Sequence, residues 1–108
     1  MSEPLLASTS DPEAPDGIGW HEFVVPGAPF AVARLTVEPG HATPIDSHAV
    51  TELWMVAQGR GELRYDGRDG IRIGAGDAVR FVPPRTHQLI NDGPETVVVH
   101  SVYWQERP

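Results

Sequence analysis

The chain has no cysteine and no lysine. The first absence removes disulfide bridges, thiolate nucleophiles and thiolate metal ligands. The second removes any side-chain Schiff base, and with it the usual imine mechanism. No apolar run is long enough to cross a bilayer. The opening residues Met1-Ser2-Glu3-Pro4-Leu5-Leu6-Ala7 lack the positive start and long apolar core of a secretory signal. Positive charge is scarce: eight basic residues, all arginine, stand against fifteen acidic ones, giving a net charge of −7. A nucleic-acid backbone needs clustered positive charge, so no nucleic-acid partner and no membrane partner is expected. Neither a phosphate-binding loop nor a serine triad is present. A soluble, cytoplasmic protein is the expectation. Chemistry is left to histidine, carboxylate, arginine, tyrosine and hydroxyl groups, alone or around a hard or borderline metal.

At 108 residues the chain forms one domain with a single modest core. Residues 1–17 read as a flexible tail: Pro4, Pro12, Pro15 and Gly17 break any periodicity, and Asp11, Glu13 and Asp16 keep it hydrated. Residues 18–108 are the domain. From Trp20 onward, short extended runs alternate with turn residues. His21-Glu22-Phe23-Val24-Val25 ends at Pro26-Gly27, and Phe30 to Val37 ends at Pro39-Gly40. Asp66-Gly67 and Asp69-Gly70 supply tight-turn chemistry, Gly74-Ala75-Gly76-Asp77 another turn, and Pro83-Pro84 a stop. The run from Thr96 to Trp104 is the most apolar. No window carries a helical stripe. About eight or nine short strands at regular spacing predict an all-β sandwich or small barrel, with no internal repeat.

The stretch from Gly40 to Gly59 is the densest in chemistry. In an extended chain, residues two apart face the same way. Asp46, His48 and Glu52 share even parity, so one strand would project all three to one side, beside Trp54 and Val56. Three potential metal ligands in that position are poorly explained as solvent decoration.

The order Gly40, five residues, Asp46-Ser47-His48, three residues, Glu52, six residues, Gly59 resembles the first signature of the cupin superfamily. Asp46 stands where that family usually has its first histidine. The second cupin signature runs from a glycine through a proline turn to a histidine and an asparagine. Gly76, Pro83-Pro84-Arg85-Thr86-His87 and Asn91 resemble it, although the usual turn glycine is absent. The resemblance spans Phe30 to Trp104 and implies a double-stranded β-helix, the cupin jelly-roll barrel.

By the same resemblance, Asp46, His48, Glu52 and His87 would line one end of the barrel and bind a divalent metal. Two imidazoles and two carboxylates suit Fe, Mn, Zn or Ni. Two carboxylates would neutralise the ion and make it a weaker Lewis acid than the usual three-histidine, one-glutamate set. If Glu52 stays unbound, the remaining two-histidine, one-carboxylate set leaves open positions on Fe²⁺. Two other readings stand beside these. Asp46 marks a cupin that has lost its metal, or Glu52 forms a salt bridge with Arg34 or Arg80. Against them, His48 and Glu52 facing inward without an ion would need other partners.

Arg34, Arg64 and Arg80 alternate with apolar residues, and one facing the pocket would recognise a substrate carboxylate. Arg34, Arg80 and Trp54 are therefore the candidate substrate-binding residues, the alternative being surface arginines and a core tryptophan. His100, Tyr103 and His41 are the candidates for moving a proton. Two functions follow. One is a small metal-dependent enzyme acting on a small organic molecule, either an oxygenase or an isomerase, cyclase or lyase of secondary metabolism. The other is a non-catalytic binding or sensing module. A homodimer is expected, through the run near Trp20 or the Val97 to Trp104 run, because exposed strand edges need cover.

Overall fold

The structure is a computed structural model; it describes residues 4–10, 14–47, 49–68, 70–83 and 86–105. His48, one of the expected ligands, lies outside the described residues, as does Arg85. The described residues contain no helix, and so none long and apolar enough to cross a membrane.

Two antiparallel sheets face each other. The larger one holds β1 (Thr9–Ser10), β2 (Ile18–Phe23), β3 (Ala31–Val37), β5 (Thr51–Gln58), β8 (Ala78–Phe81) and β10 (Val97–Trp104), in the order β1-β2-β3-β10-β5-β8. The smaller holds β4 (Asp46–Ser47), β6 (Arg60–Tyr65), β7 (Ile71–Gly74) and β9 (Thr86–Ile90), in the order β4-β9-β6-β7. This is the all-β jelly-roll barrel that the residue pattern and the cupin resemblance implied.

Alternation decides what each strand buries. In β10, Val97, Val99 and Ser101 are fully buried, while the residues between them are partly exposed. Leu35 and Val37 from β3, Val56 from β5, and Leu63 and Leu89 from the smaller sheet complete the core between the layers. Each fully buried Val or Leu contributes about 1.5–3 kcal/mol of apolar transfer.

Turns and backbone ties fix the register. Asp66 and Gly67 both take positive φ, 55° and 69°, as an Asp-Gly turn requires. Gly59 has φ +84°, and a Cβ there would lie 2.9 Å from the Thr96 carbonyl oxygen. Asn91 is buried; its amide donates to the carbonyls of Val37 (2.8 Å) and Glu95 (2.9 Å) and accepts from the Gly93 N–H (3.0 Å). The asparagine of the second signature is thus a structural tie between the layers at the end where Val37 stops.

One expectation needs correction. Parity on a single strand was to bring Asp46 and Glu52 to one face, but they sit in different sheets. Asp46 lies on β4 and Glu52 on β5, and the chain bends at Ala49 and Val50 on its way across. Part of the proposed tail is also engaged. Thr9 and Ser10 pair with Phe23 and Glu22, and the Ser8 carbonyl accepts a hydrogen bond from the Val24 N–H (2.8 Å).

Register also sorts the charges of the larger sheet. Its strands carry two carboxylates, Glu22 and Glu52, and both line the interior. Arg34 and His100 are directly opposite each other, His21 faces Arg34, and Arg80 faces Leu53. These four share the parity opposite to Glu22, Glu52 and the buried Val99, so they lie on the outer face.

Candidate ligand and metal site

At one end of the barrel the sheets part around a cavity of about 410 Å³. The larger sheet contributes Ile18, Trp20, Glu22, Leu35, Glu52, Trp54 and Tyr103 to its wall; Asp46 and His87 come from the smaller one. Ala14, Pro15, Thr43, Pro44 and Val50 close the rest.

Glu52 and His87 are the buried polar centre, 2% and 6% exposed. Glu52 Oε1 lies 3.7 Å from His87 Nε2. The other oxygen, Oε2, accepts a 2.5 Å hydrogen bond from the Ser101 hydroxyl on β10. The imidazole is held by rings: it stacks on Phe81 (centroids 4.4 Å apart, 26° between planes) and meets Trp54 edge-on (5.4 Å, 88°). Carboxylate and imidazole thus enter the cavity already oriented, which is what a ligand set requires.

Asp46 is directly opposite His87 in the β4–β9 pair. It is exposed at the rim, and its Oδ1 accepts the Ser47 N–H (2.8 Å). Among the described residues, no three carboxylate or imidazole side chains gather closely enough to hold an ion. Glu52 and His87 are within reach of one ion, since two donors each about 2 Å from it can be up to about 4 Å apart and these lie 3.7 Å apart. His48, the remaining expected ligand, is not described.

A second polar cluster lies further along the same sheet. Glu22 Oε1 accepts the Tyr103 hydroxyl (2.5 Å) and the Trp20 indole N–H (3.4 Å). Burial pushes the Tyr103 phenol well above its ordinary value near 10; the Glu22 hydrogen bond and the charges of Glu22 and Glu52 push the same way. Tyr103 is therefore a protonated donor at neutral pH, already engaged by Glu22.

The remaining candidates separate cleanly. Trp54 does line the cavity; it packs edge-on to Phe81 at 4.7 Å, and its buried indole N–H has no hydrogen-bond partner among the described residues. Arg34 lies over the Phe23 ring at 5.6 Å on the outer face, and Arg80 and His100 share that face, away from the cavity. The salt bridge considered between Glu52 and either arginine is replaced by the contacts to Ser101 and His87. His41 is exposed, outside the cavity wall; its Nδ1 is 3.1 Å from the Pro39 carbonyl oxygen, and its ring packs against Gly17. Arg64 is exposed and paired with Glu62 at 3.0 Å. Sequence reading missed Glu22, Trp20 and Ser101. Ile18, Trp20 and Glu22 share one parity, and that was the available signal for the first two.

The model of the cupin domain matches residues 33–103. A cupin 2 conserved barrel domain protein from Salinispora arenicola is 28% identical, with 86% of this chain and 80% of that one covered and a TM-score of 0.75. A polyketide cyclase from Streptomyces resistomycificus shares the fold at 20% identity, with 100% and 82% covered and a TM-score of 0.78. So does the cupin domain of an XRE family transcriptional regulator from Enterobacter cloacae, at 21% identity, 85% and 100% coverage and a TM-score of 0.70. With two buried signature residues meeting in the cavity and the cupin domain matched over residues 33–103, most of the chain, this protein belongs to the cupin family.

Proposed function

We propose that this chain is a metal-dependent cupin enzyme that moves a proton on a small organic substrate, in the isomerase, cyclase or lyase class. The observation that carries this reading is one cavity holding both a buried Glu52–His87 pair and a Glu22–Tyr103 acid pair. In it Glu52 and His87 are metal ligands, with His48 and Asp46 completing the set. A bound Fe, Mn, Zn or Ni ion supplies Lewis acidity toward a substrate carbonyl. Ser101 orients the Glu52 carboxylate, and Phe81 and Trp54 hold the His87 ring. Tyr103 keeps a proton available at its hydroxyl, with Glu22 as its acceptor. The largely apolar wall excludes water and strengthens each of these interactions.

The test begins with metal content after purification without chelators, followed by thermal stability with each divalent ion. About one ion per chain and a raised Tm support the reading. A metal-free protein whose Tm ignores added ions rejects it, in favour of a non-catalytic binding module. Dioxygen uptake during turnover would assign the oxygenase branch instead.

We also propose a homodimer built on the outer face of the larger sheet. Within its strands that face carries Arg34, Arg80, His21 and His100 and no carboxylate, together with Leu53, Val102 and a 40% exposed Met55. The complementary surface is the N-terminal arm of a second copy, which carries Glu3 together with Leu5 and Leu6, 92% and 102% exposed. Light scattering should give a dimer that dissociates when residues 1–7 are removed. A monomer at all working concentrations rejects the proposal.

A further inference from the structure

Among the described residues of the cavity wall, carboxylates carry the charge. The described lining holds three carboxylates, Glu22, Asp46 and Glu52, one imidazole, His87, and no arginine; lysine is absent from the whole chain. The two arginines expected to bind a substrate carboxylate lie on the outer face. Among the described residues, an anionic ligand would therefore meet like charge with no guanidinium or ammonium in the wall to offset it. A divalent ion at Glu52 and His87 would offset the Glu52 carboxylate and leave the charge of Glu22 in place.

Glu22 is also the open acceptor. Both of its hydrogen bonds, from Tyr103 and from Trp20, fall on Oε1, and among the described residues Oε2 accepts none. The rings that bring those donors, Trp20 and Tyr103, lie with centroids 6.2 Å apart beside the carboxylate. Trp54 adds a third ring, 3% exposed, whose indole N–H has no partner among the described residues. The wall thus offers flat apolar surface and a carboxylate oxygen.

We propose that the cavity selects a non-anionic molecule with a flat apolar body that donates an O–H or N–H to Oε2 of Glu22. Glu22 is then the specificity-determining residue: it rewards a hydroxyl or amine and repels a carboxylate or phosphate at the same position. This rests on the cavity being the substrate site, but not on the presence of metal.

The test uses matched probes: 2-naphthol, 1-naphthylmethylamine, 2-naphthoate and 2-methylnaphthalene, titrated into the full chain by calorimetry. Quenching of tryptophan emission, to which Trp20 and Trp54 contribute from the cavity wall, provides a second readout. Each series is run on chelator-stripped and on Mn²⁺-loaded protein. In the stripped protein, naphthol or the amine should bind at least tenfold more tightly than naphthoate and than methylnaphthalene. The preferred one of the two identifies the donor. Glu22→Gln keeps a carbonyl oxygen for Tyr103 and removes the charge; naphthoate should then bind within about threefold of naphthol. Equal affinity for naphthol and naphthoate in the stripped wild type overturns the proposal, and needs no variant to do so. Failure of every probe to bind overturns it as well. A protein that takes up none of Fe²⁺, Mn²⁺, Zn²⁺ or Ni²⁺ but keeps the tenfold preference refutes the metal reading and leaves this one standing.

Discussion

Glu52 and His87 come from strands in opposite sheets, yet a carboxylate oxygen of one lies 3.7 Å from an imidazole nitrogen of the other. Both are almost wholly buried, where isolated polar groups are costly. The barrel therefore holds two chemically active groups at a fixed separation, and the consequences are measurable.

Glu52→Gln and His87→Ala should each weaken divalent-metal binding at least hundredfold, because each removes a proposed ligand. The measurement is metal titration followed by elemental analysis of dialysed protein. Wild-type metal content in either variant would place the ion elsewhere.

Ser101→Ala removes the hydroxyl that donates to Glu52 Oε2 and leaves that oxygen buried. A hydrogen bond to a charged group contributes about 1.5–3 kcal/mol, so urea unfolding should show a loss of that size. Metal affinity should fall by about tenfold or more, as expected when the group orienting a ligand is lost. A wild-type affinity would mean that Glu52 is positioned without Ser101.

Tyr103 gives a pH dependence with a definite sign. Its folded-state pKa is raised above the ordinary value near 10, so its contribution is fully present below that pH. Above it the unfolded chain ionises first, and stability is lost progressively as pH climbs toward the folded value. Wild type should therefore destabilise more steeply above pH 10 than Tyr103→Phe does. Parallel curves for the two proteins would show that the phenol is not held protonated by Glu22 and burial.

Gly59→Ala should cost about 2 kcal/mol or more. The residue must adopt φ +84° while its new methyl meets the Thr96 carbonyl at 2.9 Å. Metal binding by the folded variant should be unchanged, which assigns this signature glycine to the turn and not to the site. An unaltered denaturation midpoint would contradict the turn geometry.

The β class was legible because glycine and proline punctuate the chain and alternation sets the strands. The inward faces were harder to read. In β10 both parities are rich in valine, so nothing local distinguishes Val98 and Val102 outside from Val97 and Val99 inside. His100 was consequently considered for the cavity when its parity takes it to the outer face. Arg34 and Arg80 pose the same problem, since partners fix their side and those partners are distant in sequence. The crossing between Asp46 and Glu52 was invisible for another reason: Ala49-Val50-Thr51 suits a strand, and only the pairing of β4 with β9 forces the bend. Glu22 went unnoticed beside His21 because either of them fits the inward position of an amphipathic strand.

The cavity wall divides by origin. Asp46, Glu52 and His87 belong to the matched stretch, residues 33–103, whereas Ala14, Pro15, Ile18, Trp20 and Glu22 all precede it. The proposed metal ligands thus lie within the matched stretch, and part of the wall that would meet a ligand, Glu22 included, lies ahead of it. Exchanging residues 14–20 for those of a relative should change what this protein accepts while leaving Glu22, Tyr103, Glu52 and His87 in place.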